Sequence, residues 1–255
     1  MPTKIQWCDE TWNVVSGCTK IAAGCVNCYA ERLCYRFWKQ WNREPPPNHF
    51  KVKLHPDRLD QPRKWKKPRR VFVCSMGDLF HKDVPGYFLS FVFDTMRTTP
   101  WHTYLVLTKR PDLMGAWCNH DHAPINVHLG VSVSTQADAD RMLPELLSTP
   151  AAVRFVSVEP MLERIDIHRY VGGFDYPYLG LKMSRRGPPY LNWVIIGCES
   201  GPHRRHVALD DMIDVVRQCK DAGVPVFVKQ VEIDGKVSHD PAEWPEELRM
   251  REYPD

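Results

Sequence analysis

Three cysteines that lie close together constrain this chain more than any other feature of its sequence. Cys18, Cys25 and Cys28 form a C-x6-C-x2-C arrangement directly after an apolar segment that predicts the first strand. The chain has nine cysteines, and the other six are isolated: Cys8, Cys34, Cys74, Cys118, Cys198 and Cys219. An isolated free cysteine is usually a small buried hydrophobic residue. The cluster of three therefore favours metal or redox chemistry over disulfides.

The spacing of these three cysteines allows three interpretations. Three thiolates can hold three irons of a 4Fe-4S cubane and leave the fourth iron open for a ligand. C-x2-C is also a zinc spacing, but a structural zinc needs a fourth ligand, which Cys8, Cys34 or a histidine could supply. Buried thiols without a metal are the third interpretation. Gly17 and Gly24 let the loop fold back, and Cys28 is predicted to begin a helix whose N-terminal amides face an anionic group.

Short apolar, β-branched segments alternate with amphipathic segments of helical length along the rest of the chain. This alternation predicts β/α units arranged around a parallel sheet. The predicted strands are residues 12–16, 71–75, 103–107, 127–133, 153–158, 193–197 and 226–228. The predicted helices are residues 28–41, 87–98, 111–117, 137–147 and 209–222.

The length of 255 residues suits one α/β barrel. We predict a single domain over residues 1–255, with insertions near residues 42–70 and 163–190. No apolar stretch reaches the roughly 18 to 20 residues that span a bilayer, and the first residues lack the apolar run of a secretory signal. We therefore expect a soluble, cytoplasmic protein without membrane association.

The cysteine loop and five further motifs resemble the radical S-adenosylmethionine (SAM) superfamily. The resemblance is greatest to a phage-associated family marked by GC, a short loop and then GCxxCYAER, which matches residues 16–32. The further motifs are SMGDLFH at residues 75–81, LTKRP at 107–111, GVSV at 130–133, SVEP at 157–160 and IIGCESG at 195–201. Each lies at the C-terminal end of a predicted strand, and together they cover nearly the whole chain.

This resemblance implies an α/β fold, a partial (β/α)6 TIM-like barrel of parallel strands with the cluster loop after the first strand. It implies that Cys18, Cys25 and Cys28 ligate a 4Fe-4S cluster, whose open iron is chelated by the amine and carboxylate of S-adenosyl-L-methionine. An electron from the reduced cluster would split the sulfonium, and the resulting 5′-deoxyadenosyl radical would take hydrogen from a substrate. The expected partners include a reductant such as flavodoxin or ferredoxin, in the cytoplasm of a bacterial host if the protein is phage-encoded.

The resemblance also assigns residues to the methionine end of SAM. Ser75, the backbone of Gly77 and Asp78 occupy the place where the superfamily receives the methionine ammonium. Lys109 is suited to the methionine carboxylate. Asp78 could instead cap the helix that follows it, and Lys109, next to Arg110, could be a solvated lysine of a loop.

Further residues are assigned to the ribose and the adenine. Ser132 and Glu159 are implied partners of the ribose hydroxyls, and residues 195–201, with Gly197 and Glu199, would pass close to the adenine. Glu159 could merely end a strand, and Glu199 could pair with Arg204 or Arg205. The superfamily usually has C-x3-C-x2-C with an aromatic residue before the last cysteine. Here the first gap is six residues, and Asn27 stands where the aromatic residue is usual. Tyr29 follows Cys28 instead and is the implied candidate to stack on the adenine of SAM.

A basic segment with an embedded tryptophan indicates a polyanionic substrate. The residues predicted to bind nucleic acid are Lys64, Trp65, Lys66, Lys67, Arg69 and Arg70. The alternative is a solvated loop. Together with the phage family, this segment predicts modification of a DNA base, for instance rearrangement of an amino-acid-bearing thymine by an isomerase that acts on a flipped base. A peptide or metabolite substrate stays open, and the alternative function is a zinc-stabilised nucleic-acid-binding protein without catalysis.

Overall fold

A computed structural model of the chain describes residue 3, residues 5–172 and residues 190–254. Within them the strands are β1 (Glu10–Trp12), β2 (Val15–Ser16), β3 (Lys53–Leu54), β4 (Arg70–Val73), β5 (Thr103–Thr108), β6 (Val127–Val133), β7 (Val153–Val158), β8 (Trp193–Gly197), β9 (Val226–Ile233) and β10 (Lys236–Ser238). The helices are α1 (Tyr29–Phe37), α2 (Gly86–Thr98), α3 (Pro111–His120), α4 (Gln136–Ser148), α5 (His168–Val171) and α6 (Leu209–Asp221).

The main sheet has eight strands in the order β1-β4-β5-β6-β7-β8-β9-β10. All neighbours are parallel except β9 and β10, which are antiparallel. One helix follows each of the parallel strands from β1 to β8, beginning with α1 after β1 and ending with α6 after β8. The fold is therefore α/β, a partial (β/α)6 barrel completed by a further parallel strand, and the predicted fold class is confirmed. None of the helices described is long and apolar enough to cross a membrane.

Alternate residues of the parallel strands enter two different hydrophobic cores. Val71 and Val73 of β4 belong to the large core that packs the helices against the sheet, whereas Phe72 between them belongs to a smaller core on the other face. The smaller core contains Trp7, Cys8, Phe72, Leu105, Phe155, Trp193, Ile195 and Phe227. A strand with apolar residues on both faces is typical of a parallel sheet that is covered on both sides. Aromatic rings thus fill the concave side of the barrel at its N-terminal end.

The predicted first strand, residues 12–16, is divided in the structure. Residues up to Trp12 pair with β4, and the chain then leaves the main sheet so that β2 pairs antiparallel with β3. Asn13 lies at the division, where its side-chain oxygen accepts hydrogen bonds from the Ser75 hydroxyl (3.2 Å) and the Met76 amide (2.9 Å). The apolar pattern continues across residues 12–16, so the sequence did not show that the chain leaves the main sheet after Trp12. The predicted first helix, residues 28–41, ends four residues early, at Phe37.

The insertion near residues 42–70 folds back toward the cysteine loop. Its strand β3 pairs with β2, and the Phe50 carbonyl accepts a 3.0 Å hydrogen bond from the Cys18 amide. The insertion near residues 163–190 contains the short helix α5. Residues 173–189 of that insertion lie outside the described residues.

A substitution at Gly130 on β6 would test how closely the inside of the barrel is packed. A methyl group at this position would lie 2.5 Å from the ring of Phe155, so Gly130→Ala must displace that ring within a close-packed core. We expect the substitution to lower the free energy of unfolding by about 1 to 3 kcal/mol, measured by denaturant titration. Gly86→Ala is the matched control, because its methyl group would meet only Trp117 at an ordinary 3.6 Å. Equal stability of the two variants would contradict this packing.

Candidate functional site

The cysteine loop lies where the barrel's strands end and the first helix begins. Cys18 follows β2 after one residue, Cys25 ends a short 3-10 turn (Ala23–Cys25), and Cys28 caps the N-terminus of α1. All three thiols are partly exposed, whereas the other six cysteines of the chain are buried. The C-terminal end of the strands is where barrel enzymes carry their active sites. The structure thus places the three clustered cysteines, and no other, in a position to meet a ligand.

The three thiols share one electrostatic neighbourhood. Burial raises the pKa of Cys18 and of Cys28, and the nearby Cys25 raises both further. At Cys28 the backbone N–H groups of Ala30 and Glu31, at the start of α1, act against burial and lower the pKa. Among the described residues, no three His, Cys, Asp or Glu side chains already stand in metal-binding geometry. Joint ligation therefore requires the thiols to turn toward one another.

The surroundings of the loop fit an anionic iron-sulfur cluster. Three thiols are the donor set such a cluster requires, and helix N-terminal amides favour negative charge beside Cys28. The hydroxyl of Ser134 is fully buried with no hydrogen-bond partner, and it packs directly against Gly24 in the middle of the loop. A buried hydroxyl without a partner is costly. The donor chemistry and this unsatisfied group both suit a polar ligand held by the loop.

Close backbone contacts fix the start of the loop. Gly17 has a φ of +87°, a conformation that favours glycine, and a Cβ there would collide with the Lys51 carbonyl. The amide of Gly17 donates to the Met76 carbonyl at 2.8 Å, and Gly17 and Gly77 form an isolated parallel bridge. Gly77, predicted to serve the methionine ammonium, thus lies against the backbone that leads into Cys18.

Asp78 has partners other than the predicted ammonium. One carboxylate oxygen accepts hydrogen bonds from the Phe80 amide (3.0 Å) and the Thr108 hydroxyl (2.7 Å). The other accepts from Arg110 (2.7 Å) and from the Lys109 amide (3.4 Å). A carboxylate offers about four acceptor positions, and here all four are taken. In this structure Asp78 is the buried counter-ion of Arg110, and its contact with the methionine ammonium stays a prediction.

Arg110 links this ion pair to the cysteine loop. Its guanidinium donates to the Cys18 sulfur (3.4 Å) and, at 3.0 Å each, to the backbone carbonyl and the side-chain oxygen of Thr19. His81 also contacts the Thr19 hydroxyl, at 2.9 Å, while its Nδ1 accepts a backbone N–H. Burial and the Arg110 cation lower the pKa of His81, so its imidazole is neutral and its Nε2–H donates to Thr19.

A second buried ion pair holds the other end of the loop. Glu199 is paired with Arg205, whose guanidinium also donates to the Ala23 carbonyl at 3.0 Å. The Asn27 amide donates to Glu199 at 2.9 Å and to the His203 carbonyl at 2.7 Å. Burial alone would raise the pKa of Glu199, but the hydrogen bonds from Arg205 and Asn27 outweigh it and keep the pKa below its usual value. The alternative expectation for Glu199, pairing with an arginine, is the arrangement observed.

Four of the predicted cofactor residues come together across the C-terminal ends of the strands. The Lys109 ammonium contacts the Ser132 hydroxyl, which donates to the Glu159 carbonyl at 2.9 Å. The Glu159 carboxylate forms an ion pair with Lys229 of β9 and packs against Gly197. These side chains form a continuous polar row above the aromatic core. The row lies on the same end of the barrel as the cysteine loop.

Ser75 and Tyr29 join the end of β4 to the start of α1. The Tyr29 hydroxyl donates to the Ser75 carbonyl. Tyr29 is 42% exposed, so one side of its ring faces the solvent beside Cys28. In this structure both residues connect the cysteine loop to the neighbouring strand.

Three residues of the predicted nucleic-acid segment are occupied by contacts within the protein. Arg69 and Arg70 pair with Glu10 and Asp9 respectively, and Arg70 also lies 3.8 Å from the centre of the Tyr253 ring. The ring of Trp65 packs against the main core. These side chains thus have partners within the protein, and their contact with nucleic acid stays a prediction.

The rest of the basic segment is exposed but lies far along the barrel from the cysteines. Lys64, Lys66 and Lys67 are exposed and precede β4, at the N-terminal end of the strands. The cysteine loop follows β1 and lies at the opposite end. Three basic residues of the second insertion, which could extend such a phosphate-binding surface, lie outside the described residues: Lys182, Arg185 and Arg186.

Four functional residues escaped the sequence interpretation in whole or in part. Arg110 was treated only as a neighbour of Lys109, Asn27 only as a departure from the superfamily pattern, and Lys229 was not considered. Arg205 was one of two arginines proposed for Glu199. The one available signal was a charged residue inside an apolar strand, VFVKQV, which marks Lys229 because lysine is rarely buried without a partner.

The fold is similar to that of a cysteine-to-serine mutant of spore photoproduct lyase. The two share a TM-score of 0.54 and 10% sequence identity, over 89% of this chain and 78% of the other. A tyrosine-to-phenylalanine mutant of the same enzyme gives a TM-score of 0.43 and 12% identity, over 82% and 59% of the two chains. At such low identity the first likeness shows a shared fold, which is the partial parallel barrel.

Residues 2–244 match the model of a protein family, DUF5131, which is described as a protein of unknown function. The chain belongs to this family. A search of curated proteins gives no match.

The ion pair between Glu159 and Lys229 is testable by a double-mutant cycle. Each side chain is about one-fifth exposed, so removing one partner leaves a largely buried charge. We expect Lys229→Gln alone to lower the free energy of unfolding by about 1 to 3 kcal/mol. Adding Glu159→Gln should recover part of that loss, since the stranded carboxylate is then gone. Additive losses in denaturant titrations would show that the two groups do not interact.

Proposed function

We propose that this protein is a radical SAM enzyme that cleaves S-adenosylmethionine at a 4Fe-4S cluster held by Cys18, Cys25 and Cys28. The observation that carries the proposal is their position. They are the three cysteines exposed at the C-terminal end of a partial parallel barrel, and the remaining six are buried. The matching structure, spore photoproduct lyase, is itself a radical SAM enzyme, and this likeness supports the same chemistry here.

When bound, the cluster would supply the electron that cleaves the sulfonium of SAM. The chain's own residues bind, orient and exclude water. The Lys109 ammonium suits the methionine carboxylate, while Ser132 and Glu159 suit the ribose hydroxyls. Lys229 holds the Glu159 carboxylate in place. The aromatic core below this polar row keeps water out of the barrel from its N-terminal end.

Nucleic acid is the substrate class that we propose. Spore photoproduct lyase is a DNA repair enzyme, which supports a substrate of this class. The surface beside the cysteine loop also suits a polyanion. Helix α1 begins at Cys28, and three basic residues of this helix and the turn after it have no carboxylate partner in the described structure: Arg32, Arg36 and Lys39.

Aromatic side chains lie among these cations. Tyr35 is 60% exposed and Trp41 is 41% exposed. The Lys39 ammonium lies 5.3 Å from the centre of the Trp38 ring, and the Arg36 guanidinium lies 5.2 Å from that of Phe37. Alternating cations and exposed rings are typical of surfaces that bind single-stranded nucleic acid. We refer to Arg32, Tyr35, Arg36, Lys39 and Trp41 as the α1 surface.

The finer assignments extend this proposal. We propose that the reaction modifies a base, with rearrangement of an amino-acid-bearing thymine in phage DNA as the specific candidate. A base in a duplex would have to leave the stack to reach the polar row. A flavodoxin or ferredoxin is the proposed reductant, in the cytoplasm of a bacterial cell. The site residues assigned to SAM are part of the same proposal.

The cluster assignment predicts that the three loop cysteines act jointly. After anaerobic reconstitution, wild-type protein should carry about four irons and four sulfides, and Cys18→Ala, Cys25→Ala or Cys28→Ala should lose most of both. Cys219→Ala is the matched control, because this buried cysteine lies on α6 and should leave the cluster intact. Zinc in place of iron and sulfide, or a full cluster in Cys25→Ala, would overturn the assignment.

The substrate assignment predicts that binding of nucleic acid depends on the α1 surface. Each phosphate contact releases counterions, which contributes a slope of roughly −0.7 to −0.9 to the plot of log affinity against log salt. Changing Arg32, Arg36 and Lys39 together to Gln should make the slope less negative by about 2 to 3, measured with labelled single-stranded DNA.

The matched control changes Lys64, Lys66 and Lys67 to Gln. It removes the same charge from the N-terminal end of the barrel, and we expect the slope to stay near that of wild type. If this control makes the slope less negative and the α1 variant does not, the basic segment with Lys64, Lys66 and Lys67 is the interface. If no DNA or RNA binds at low salt, the substrate is a small metabolite or a peptide.

A further inference from the structure

We propose that Arg110 is a positioning residue that holds Cys18 and raises the reduction potential of the iron-sulfur cluster. This inference rests on the proposed function, since it concerns the cluster that the three cysteines would hold. Arg110 is buried, it is separated from the cysteine loop by more than 80 residues of sequence, and it reaches back to that loop. It does not belong to the motif residues that the superfamily resemblance assigns to SAM.

The Arg110 guanidinium forms hydrogen bonds with three residues: Cys18, Asp78 and Thr19. Nη1 donates to the Cys18 sulfur at 3.4 Å and to the Asp78 carboxylate at 2.7 Å. Nη2 donates to the carbonyl and to the hydroxyl oxygen of Thr19, at 3.0 Å each. Both side chains of the ion pair are only 8% exposed. A planar, forked cation is the one side chain that can satisfy these directions together.

The network holds this arginine in one orientation. The Thr108 hydroxyl accepts from the Arg110 amide at 2.9 Å and donates to Asp78 at 2.7 Å, so the backbone and the counter-ion are tied to the same group. The His81 side chain fixes the Thr19 hydroxyl from its other side. The guanidinium is therefore directed at the Cys18 sulfur by contacts that do not involve the sulfur.

The electrostatic consequence concerns the added electron. Reduction makes a cluster more negative, and hydrogen bonds to its sulfur ligands, like nearby positive charge, stabilise the reduced form. The Arg110 guanidinium donates directly to the Cys18 sulfur and lowers the pKa of that thiol, whereas the nearby Asp78 carboxylate acts in the opposite direction and raises it. Because the pair is buried, water screens these two charges only weakly. Loss of the cation should lower the reduction potential, whereas loss of the carboxylate should raise it.

Arg205 provides a natural comparison. Like Arg110, it pairs with a buried carboxylate and contacts the cysteine loop, but through the Ala23 carbonyl rather than through a sulfur. A role in shaping the loop would be shared by both arginines. An effect on the reduction potential would be specific to Arg110.

The experiment measures reduction potentials of reconstituted protein by titration with electron paramagnetic resonance detection. The double variant Asp78→Asn with Arg110→Gln leaves no unpaired buried charge, so it should fold, as checked by circular dichroism. At a fixed potential near the wild-type midpoint we expect its reduced-to-oxidised ratio to fall about tenfold, which corresponds to about 59 mV for one electron. Asp78→Asn alone should shift the potential in the opposite direction, and Arg110→Lys should lie between wild type and the double variant.

Arg205→Gln is the control, and its potential should match that of wild type. If Asp78→Asn and the double variant shift the potential in the same direction, or if neither differs from Arg205→Gln, the inference is overturned. Loss of the cluster from the folded double variant, with retention in Arg205→Gln, would support the holding of Cys18. Wild-type protein that binds no cluster would instead refute the proposed function itself.

Discussion

Two arginine–carboxylate pairs, each with a buried carboxylate, determine where the cysteine loop can lie. The loop has little regular structure between β2 and α1 beyond one 3-10 turn, so its shape must come from the residues around it. Arg110 with Asp78 holds the end near Cys18, and Arg205 with Glu199 holds the end near Asn27. Asp78, Arg110 and Glu199 are buried, and burying a charge is costly unless it is paired and hydrogen-bonded, a condition that both pairs meet. Together the two pairs fix the position of a loop whose three thiols are more accessible than the six buried cysteines.

The interior of the barrel has an aromatic part and a polar part along its axis. Their positions follow from the order of residues in the strands. On β7 the inward positions run from Phe155 to Ser157 and then to Glu159 just beyond the strand. On β9 they run from Phe227 to Lys229. Each of these two strands thus carries a ring nearer its N-terminal end and a polar group farther along the chain. Parallel strands place like ends together, so the rings form one layer and the polar groups another.

The sequence predicted the parts of this protein that depend on periodicity and local spacing. The β/α alternation identified five of the six helices described and the strands of the parallel sheet, although the first predicted strand is divided. The cysteine spacing identified the loop that the structure places at the C-terminal end of the barrel. The sequence could not predict which charges meet across the fold. Asp78 and Arg110 are separated by 32 residues, and Glu159 and Lys229 by 70, and no local pattern records either pairing. The same limit applies to Arg69 and Arg70, whose local charge pattern does not record the Glu10 and Asp9 partners that the fold brings beside them.

The position of Trp7 bears on which end of the barrel a ligand can approach. Its indole, 2% exposed, packs at 4.5 Å from the ring of Phe72 and 6.2 Å from that of Trp193, at the end of the barrel away from the cysteines. Among the described residues these rings fill the concave side of the barrel at that end. A ligand of the polar row would therefore approach from the end where the cysteine loop lies.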